Sequence, residues 1–121
     1  ALKPHPENYK NHPDIQLEHI CENLKQFGLY RNLIISSDGF ILVGHGMIAA
    51  LRRMNVSHVP VIRLEIPHDS AQALKLLVAD NEISHLAEID DRQLSELLKV
   101  VKDKDALAGT GYDKMKLANL L

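Results

Sequence analysis

At 121 residues the chain has the length of one domain with its own core, and its 45% apolar and 25% charged residues are the balance of a soluble globular protein. A formal net charge of −2 and a pI near 6.4 exclude non-specific binding of nucleic acid through bulk positive charge; such a contact needs a local patch or a partner. The single cysteine, Cys21, excludes an internal disulfide and a cysteine-rich zinc site, and no apolar run reaches the roughly 20 residues of a membrane span.

The lone cysteine fits a reducing compartment and no secretory signal is visible, so a cytoplasmic location and no membrane partner are expected. The chain begins at Ala1 without a methionine, which fits a piece of a longer protein.

The opening segment, LKPHPENYKNHPD, holds Pro4, Pro6 and Pro13 and is expected to be an extended arm. In the following DIQLEHICENLKQFG, Leu17, Ile20, Cys21, Leu24 and Phe27 recur at helical spacing, with Pro13 suited to the first turn and Gly28 to the stop. NLIISSDGFILVG reads as two short strands about a turn at Ser37-Asp38-Gly39. A helix follows from about Gly46 to Met54, with Asn55 able to take the left-handed cap.

Val59 to Ile66 is rich in β-branched residues and predicts a third strand. Asp69 and Ser70 are caps for a helix reaching about Leu86, and Asp90 for another over Asp91 to Lys102. Past a loop at AGTGYD, a short helix covers Lys114 to Leu120. The fold class is therefore α+β: a small mixed sheet with packed helices over residues 1–90, then an all-helical tail over 91–121 packed on it.

Three places in this order can carry chemistry. At LVGHGMIAALRRM a strand turns into a helix through Gly44-His45-Gly46. Such a junction leaves the first helical amides unpaired at the positive end of the helix dipole, and glycine lets an anion approach the backbone. His45 adds a hydrogen bond or a charge. The lysine of a P-loop and the third glycine of a dinucleotide fingerprint are absent, and a tight corner packed on the sheet explains the glycines equally well.

The second place is Asp80-Asn81-Glu82. Leu74, Leu77 and Val78 predict the buried face of their helix and put Asn81 on it. An inward amide needs partners; the three oxygens otherwise suit Mg²⁺, which prefers hard donors. The third place is the arm, where Asn8 and Lys10 are candidate phosphate ligands beside His5, Glu7, Tyr9 and His12. His5, His12 and His19 recur every seven residues but span arm and helix, so convergence on a metal is not implied.

Taken in order, the arm, the helix ending FGLYRNLII, then DGFILVGHG, a helix and VPVIRL resemble the ParB/sulfiredoxin-like domain, also called the ParB-like nuclease domain. The likeness runs in detail over residues 2–66 and more loosely to about 90, and its nearest form is a G-H-G version from phage and mobile-element proteins. The resemblance implies that Gly44, His45, Gly46 and Met47 stand where nucleotide-binding ParB domains cradle a CTP triphosphate. It likewise implies that Asp80, Asn81 and Glu82 stand where related proteins place an acidic residue and an asparagine near Mg²⁺ and phosphate. Gly46 and Met47 replace two arginines of the first motif, and Ser84 the arginine of the second. A cysteine of the sulfiredoxins is His45 here, so cysteine chemistry is not expected. The tail after residue 90 is short for the DNA-binding and dimerisation regions of chromosome-partition ParB proteins, so a CTP-operated clamp is not expected either.

The resulting reading is a module that binds Mg²⁺ and a nucleoside triphosphate, CTP or ATP, in a DNA-modification, partition or mobile-element system. DNA would be reached through a partner or fused domain such as a DNA methyltransferase. Two alternatives stay open. One is a Mg²⁺-dependent phosphotransferase or nuclease, with His45 or Glu82 as general base and Asp80 or Asn81 holding the metal. The other is a degenerate interaction domain that docks a partner through Leu94, Leu97, Leu98 and Val101.

Overall fold

Leu33, Ile35, Ile41 and Leu42 are the residues around which the sheet closes, each at most 7% exposed. In the computed structural model, which describes residues 2–104 and 107–120, they lie on or beside two short strands, β1 (Ile34–Ile35) and β2 (Ile41–Val43). β1 and β2 pair antiparallel about the turn expected at Ser37-Asp38-Gly39, where Gly39 has φ 85°. A third strand, β3 (Ile62–Arg63), lies parallel to β1, giving the order β2-β1-β3. The arm adds a bridge at the β2 side: Lys3 accepts from Ile41 N–H at 2.8 Å and donates to Gly39 C=O at 3.0 Å.

β3 is much shorter than the Val59–Ile66 run that its composition predicts. Both of its residues are exposed, and beyond it Leu64 N–H bonds to Ile35 C=O and Ser37 N–H to Ile66 C=O. β-branched residues raise strand propensity, but only partners on a neighbouring strand turn propensity into a ladder.

α2 (His45–Arg53) starts directly after β2 and ends with Asn55 in the left-handed conformation at φ 60°, as its position predicts. α3 (Ala71–Ile83) is capped by Ser70, whose hydroxyl accepts from Ala73 N–H at 3.2 Å. It passes at Ser84–Leu86 into a 3₁₀ turn, so the regular helix stops short of Leu86. Ala73 and Leu77 are its buried residues; Leu74 and Val78, expected in the core, are 37% and 50% exposed. They line a cavity of about 400 Å³ with His5, Glu7, His68 and Asp69.

The chain divides into two units. One holds the arm through His12 with Tyr30–Ala87; the other holds Pro13–Leu29 with the chain from Glu88 onward. In the second unit, α1 (Asp14–Phe27) buries Leu17, Cys21 and Leu24 but leaves Phe27 65% exposed. Its Asn23 and Gln26 amides donate at 2.6 Å to the carbonyls of Gly109 and Ala108. α4 (Asp91–Lys104) is capped by Asp90, which accepts from Gln93 N–H at 3.1 Å, and α5 (Lys114–Leu120) by Asp113, which accepts from Lys116 N–H at 2.7 Å. Leu98, Leu107 and Leu117 form the core of this unit, with Leu94 and Val101 partly buried against it; Leu97, the fourth residue of that stripe, is 59% exposed.

The β2–α2 corner is the most demanding point of the first unit. Gly44 has φ 104° and ψ 27°, and a β-carbon there would lie 2.4 Å from Leu33 Cδ2. Gly39 also has positive φ, but a β-carbon on it would meet nothing within 4 Å. Gly44→Ala is therefore expected to cost about 2–4 kcal/mol, combining backbone strain with overpacking, and Gly39→Ala about 1–2 kcal/mol from strain alone. Chemical denaturation of the two variants beside the parent protein measures the difference.

Candidate functional site

The first hydrogen bond of α2 runs from Ile48 N–H to Gly44 C=O at 2.9 Å. The amides of His45, Gly46 and Met47 therefore precede the helical ladder, at the positive end of the helix dipole. Gly46 is buried, while His45 and Met47 are partly exposed. The basic residues of this helix, Arg52 and Arg53, stand in its last turn, and Arg52 donates to Leu2 C=O. The start of α2 thus has backbone donors without a neighbouring arginine or lysine on its own helix.

His45 is held from the arm side. The backbone N–H of His5 donates to His45 Nε2 at 3.1 Å. An imidazole that accepts at Nε2 while neutral must carry its proton on Nδ1. Burial, followed by the nearby charges of His12 and His5, pushes its pKa down to about 4 from the ordinary 6.5. At neutral pH His45 is thus an uncharged group whose Nε2 lone pair is already engaged.

His5 itself is only 3% exposed, and both its ring nitrogens are satisfied. Nδ1 accepts from Glu7 N–H at 3.0 Å and Nε2 donates to His68 C=O at 2.7 Å. The ring packs edge-on against Phe40 and His68, which stack on each other at 3.9 Å between centroids. His68 is anchored in turn by Asp38, which pairs with its Nδ1 and accepts from its backbone N–H at 3.0 Å. The Ser36 hydroxyl, which donates to Asp38 at 2.5 Å, and the His68 contacts hold the Asp38 carboxyl well below the usual carboxylate range. Ser36, Asp38 and His68 include the residue types of a nucleophilic triad but not its geometry: the serine bonds to the aspartate and is fully buried.

The remaining candidates gather at the other end of the arm. The Tyr9 hydroxyl donates to Glu82 Oε1 at 2.6 Å, and that bond to a carboxylate raises the Tyr9 pKa, with Asn81 beside the same hydroxyl. Lys10 Nζ lies 3.3 Å from His85 Nε2, in the 3₁₀ turn. Asn8 and Lys10 bond to each other through side chain and backbone, Lys10 N–H to Asn8 Oδ1 at 3.3 Å and Asn8 Nδ2 to Lys10 C=O at 3.4 Å. Lys10, expected beside phosphate, is thus directed at the end of α3.

Asp80, Asn81 and Glu82 follow one another on a helix that turns about 100° per residue, so the two carboxylates point apart and do not form one chelating set. Among the described residues, no group of three or more His, Cys, Asp or Glu side chains is placed to hold a metal ion. A Mg²⁺ held here would take one side-chain oxygen and complete its shell from water or phosphate.

Sequence reasoning found the β2–α2 corner but not the support behind it. In the sequence His5 belongs to a polar arm, and nothing local joins His68 to Asp38 and Ser36. A serine two residues before an aspartate in a turn was the available signal. The long-range partner of that turn, His68, has no local signature.

An arm bridged to a three-stranded mixed sheet, with helices following, is the architecture of the ParB N-terminal domain. The structure aligns with the C-terminally truncated chromosome-partitioning protein ParB from Caulobacter crescentus, solved complexed with CTP-gamma-S. The TM-score is 0.78 at 17% identity, over 98% of this chain and 71% of that one. The sequence is 35% identical over 63 residues to the ParB-like nuclease domain-containing protein YnaK of Escherichia coli (strain K12), a match spanning 52% of this chain and 72% of that protein. The chain belongs to the ParB-like nuclease domain family. No family model matches it. Among the described residues, no helix is long and apolar enough to cross a membrane.

His45 sets a pH dependence with a definite sign. Its folded pKa of about 4 lies below the ordinary 6.5, so the unfolded chain takes up a proton first as the pH falls. The contribution of neutral His45 is fully present above about pH 6.5 and is lost as the pH falls toward about 4. Denaturation curves collected across that window should show stability falling with acidification, and His45→Gln, which keeps an acceptor but cannot titrate, should flatten the slope.

Proposed function

We propose that the chain is a ParB-type nucleotide-binding module whose phosphate cradle is the start of α2. The observation that carries this reading is the corner at Gly44, where a left-handed glycine packed on Leu33 sets three successive amides ahead of the first helical hydrogen bond. Such amides favour an anion without further charge; Gly46, one of the three, and Gly44 just before them carry no side chain to obstruct its approach. A nucleoside triphosphate, CTP or ATP, is the ligand class; the family and the CTP-gamma-S bound to the Caulobacter protein support it. The triphosphate would bring Mg²⁺ with it, with Asn81 or Glu82 as the contact from α3.

Binding is favoured over turnover because the groups suited to general-base work are engaged: His45 Nε2 accepts the His5 amide, and Glu82 accepts the Tyr9 hydroxyl. DNA, in this reading, is reached through a partner or fused domain such as a methyltransferase.

Calorimetric titration with ATP, ADP, CTP and GTP, with and without Mg²⁺, tests the proposal. One triphosphate should bind saturably, and His45→Ala, which keeps the backbone amide but removes the imidazole, should weaken it. Met47→Arg, which places a cation in the first turn, should tighten binding about 5- to 30-fold, or about 1–2 kcal/mol. Absence of binding by every nucleotide, to the parent protein and to Met47→Arg alike, would contradict the proposal.

A further inference from the structure

Among the described residues, the side chains that bear electrostatically on the start of α2 are imidazoles. His5 and His12 come from the arm and bear electrostatically on His45, while the arginines of α2 stand at its far end. Of the other charged or titratable groups around them, Glu7 and Asp69 line the cavity beside His5, and several are engaged elsewhere. His68 and Asp38, behind the His5 ring, pair with each other; from α3, Glu82 is bonded to Tyr9; on the arm, Lys3 lies over the Phe40 ring and Lys10 meets His85.

A neutral His45 accepts the His5 amide at Nε2, and a protonated His45 cannot, because both its nitrogens are then donors. The state that suits the arm and the state that suits a bound anion are therefore mutually exclusive. An anion at the His45–Met47 amides would stabilise imidazolium by direct charge, and imidazolium would repel the His5 N–H.

We propose that phosphate binding at the start of α2 is coupled to uptake of one proton by His45, which in the same step releases the backbone amide of His5. The proton comes from solvent and enters the Nε2 lone pair; the bond that breaks is the His5 N–H to Nε2 hydrogen bond. This inference rests on the nucleotide-binding reading and adds to it a regulation: the arm and the ligand compete through one nitrogen. The depressed pKa of His45 agrees with the arm-bound state. Affinity for phosphate then strengthens as the pH falls, by up to about tenfold per pH unit while free His45 is neutral and bound His45 is charged.

The test is an NMR titration of the intact protein from neutral pH downward, with and without saturating inorganic sulfate, whose charge stays constant over the range. Without sulfate the His45 ring should titrate near pH 4. With sulfate the midpoint should rise to about pH 5 or above, and the His5 amide should move together with the amides of Gly46 and Met47. If those two amides shift saturably while the His45 midpoint and the His5 amide stay in place, the coupling is overturned and the cradle stands. If no amide at the start of α2 responds to sulfate at any pH, both the coupling and the cradle are overturned.

Discussion

A single close approach sets the geometry of the first unit: the α-carbon of Gly44 against Leu33. Leu33 is 1% exposed, and its carbonyl also accepts from Ile62 N–H at 2.7 Å, so the side chain beneath the corner belongs to the residue that holds β3. Any side chain at 44 would have to displace Leu33, while its φ of 104° would strain the backbone. Because that corner is tight, β2 ends and α2 begins within one residue. His45 becomes the first helical residue, and its amide and the next two are left for something other than the helix to satisfy.

The arm is the second element that depends on this corner. A chain with prolines at 4, 6 and 13 cannot form a regular helix, so beyond a few local bonds it must find partners on the rest of the unit. It does so at Lys3 on the sheet, at His5 between α2 and the loop before α3, and at Tyr9 and Lys10 on the end of α3. His5 carries the most consequence. A buried imidazole is costly unless both nitrogens are bonded, and here both are, while its backbone donor reaches His45. The residues that hold the arm are thereby the residues that bear on the candidate cradle.

Local chemistry was legible in the sequence, and long-range partnership was not. Gly28, Asn55, Ser70, Asp90 and the Ser37-Asp38-Gly39 turn act within a few residues of themselves, and each marks the boundary that its chemistry predicts. The misjudged features needed a distant partner. Val59–Ile66 has strand composition, but only Ile62 and Arg63 find a ladder. Leu74 and Val78 flank Leu77 on their helix, yet Leu77 alone of the three is buried in the core while the other two stand exposed at a cavity. At the candidate site the Gly44-His45-Gly46 corner was visible because glycine spacing is local; the grip of His5 on His45, forty residues apart in the chain, was not. Lys10 likewise meets a partner remote in the chain, His85, that no local pattern marks.

Family membership and corner geometry both support the proposed phosphate cradle, while the side chains there depart from the pattern that the resemblance implies. Gly46 and Met47 stand where the resemblance implies paired arginines, so in the proposed cradle backbone amides, a helix dipole and histidines would supply the attraction for an anion. The most direct measurement of this account is a crystal structure of the protein with CTP and Mg²⁺, grown below the raised midpoint of His45. The account predicts phosphate oxygens within hydrogen-bond distance of the His45, Gly46 and Met47 amides, with His5 no longer bonded to His45 Nε2. A nucleotide bound elsewhere, with the His5–His45 bond intact, would contradict it.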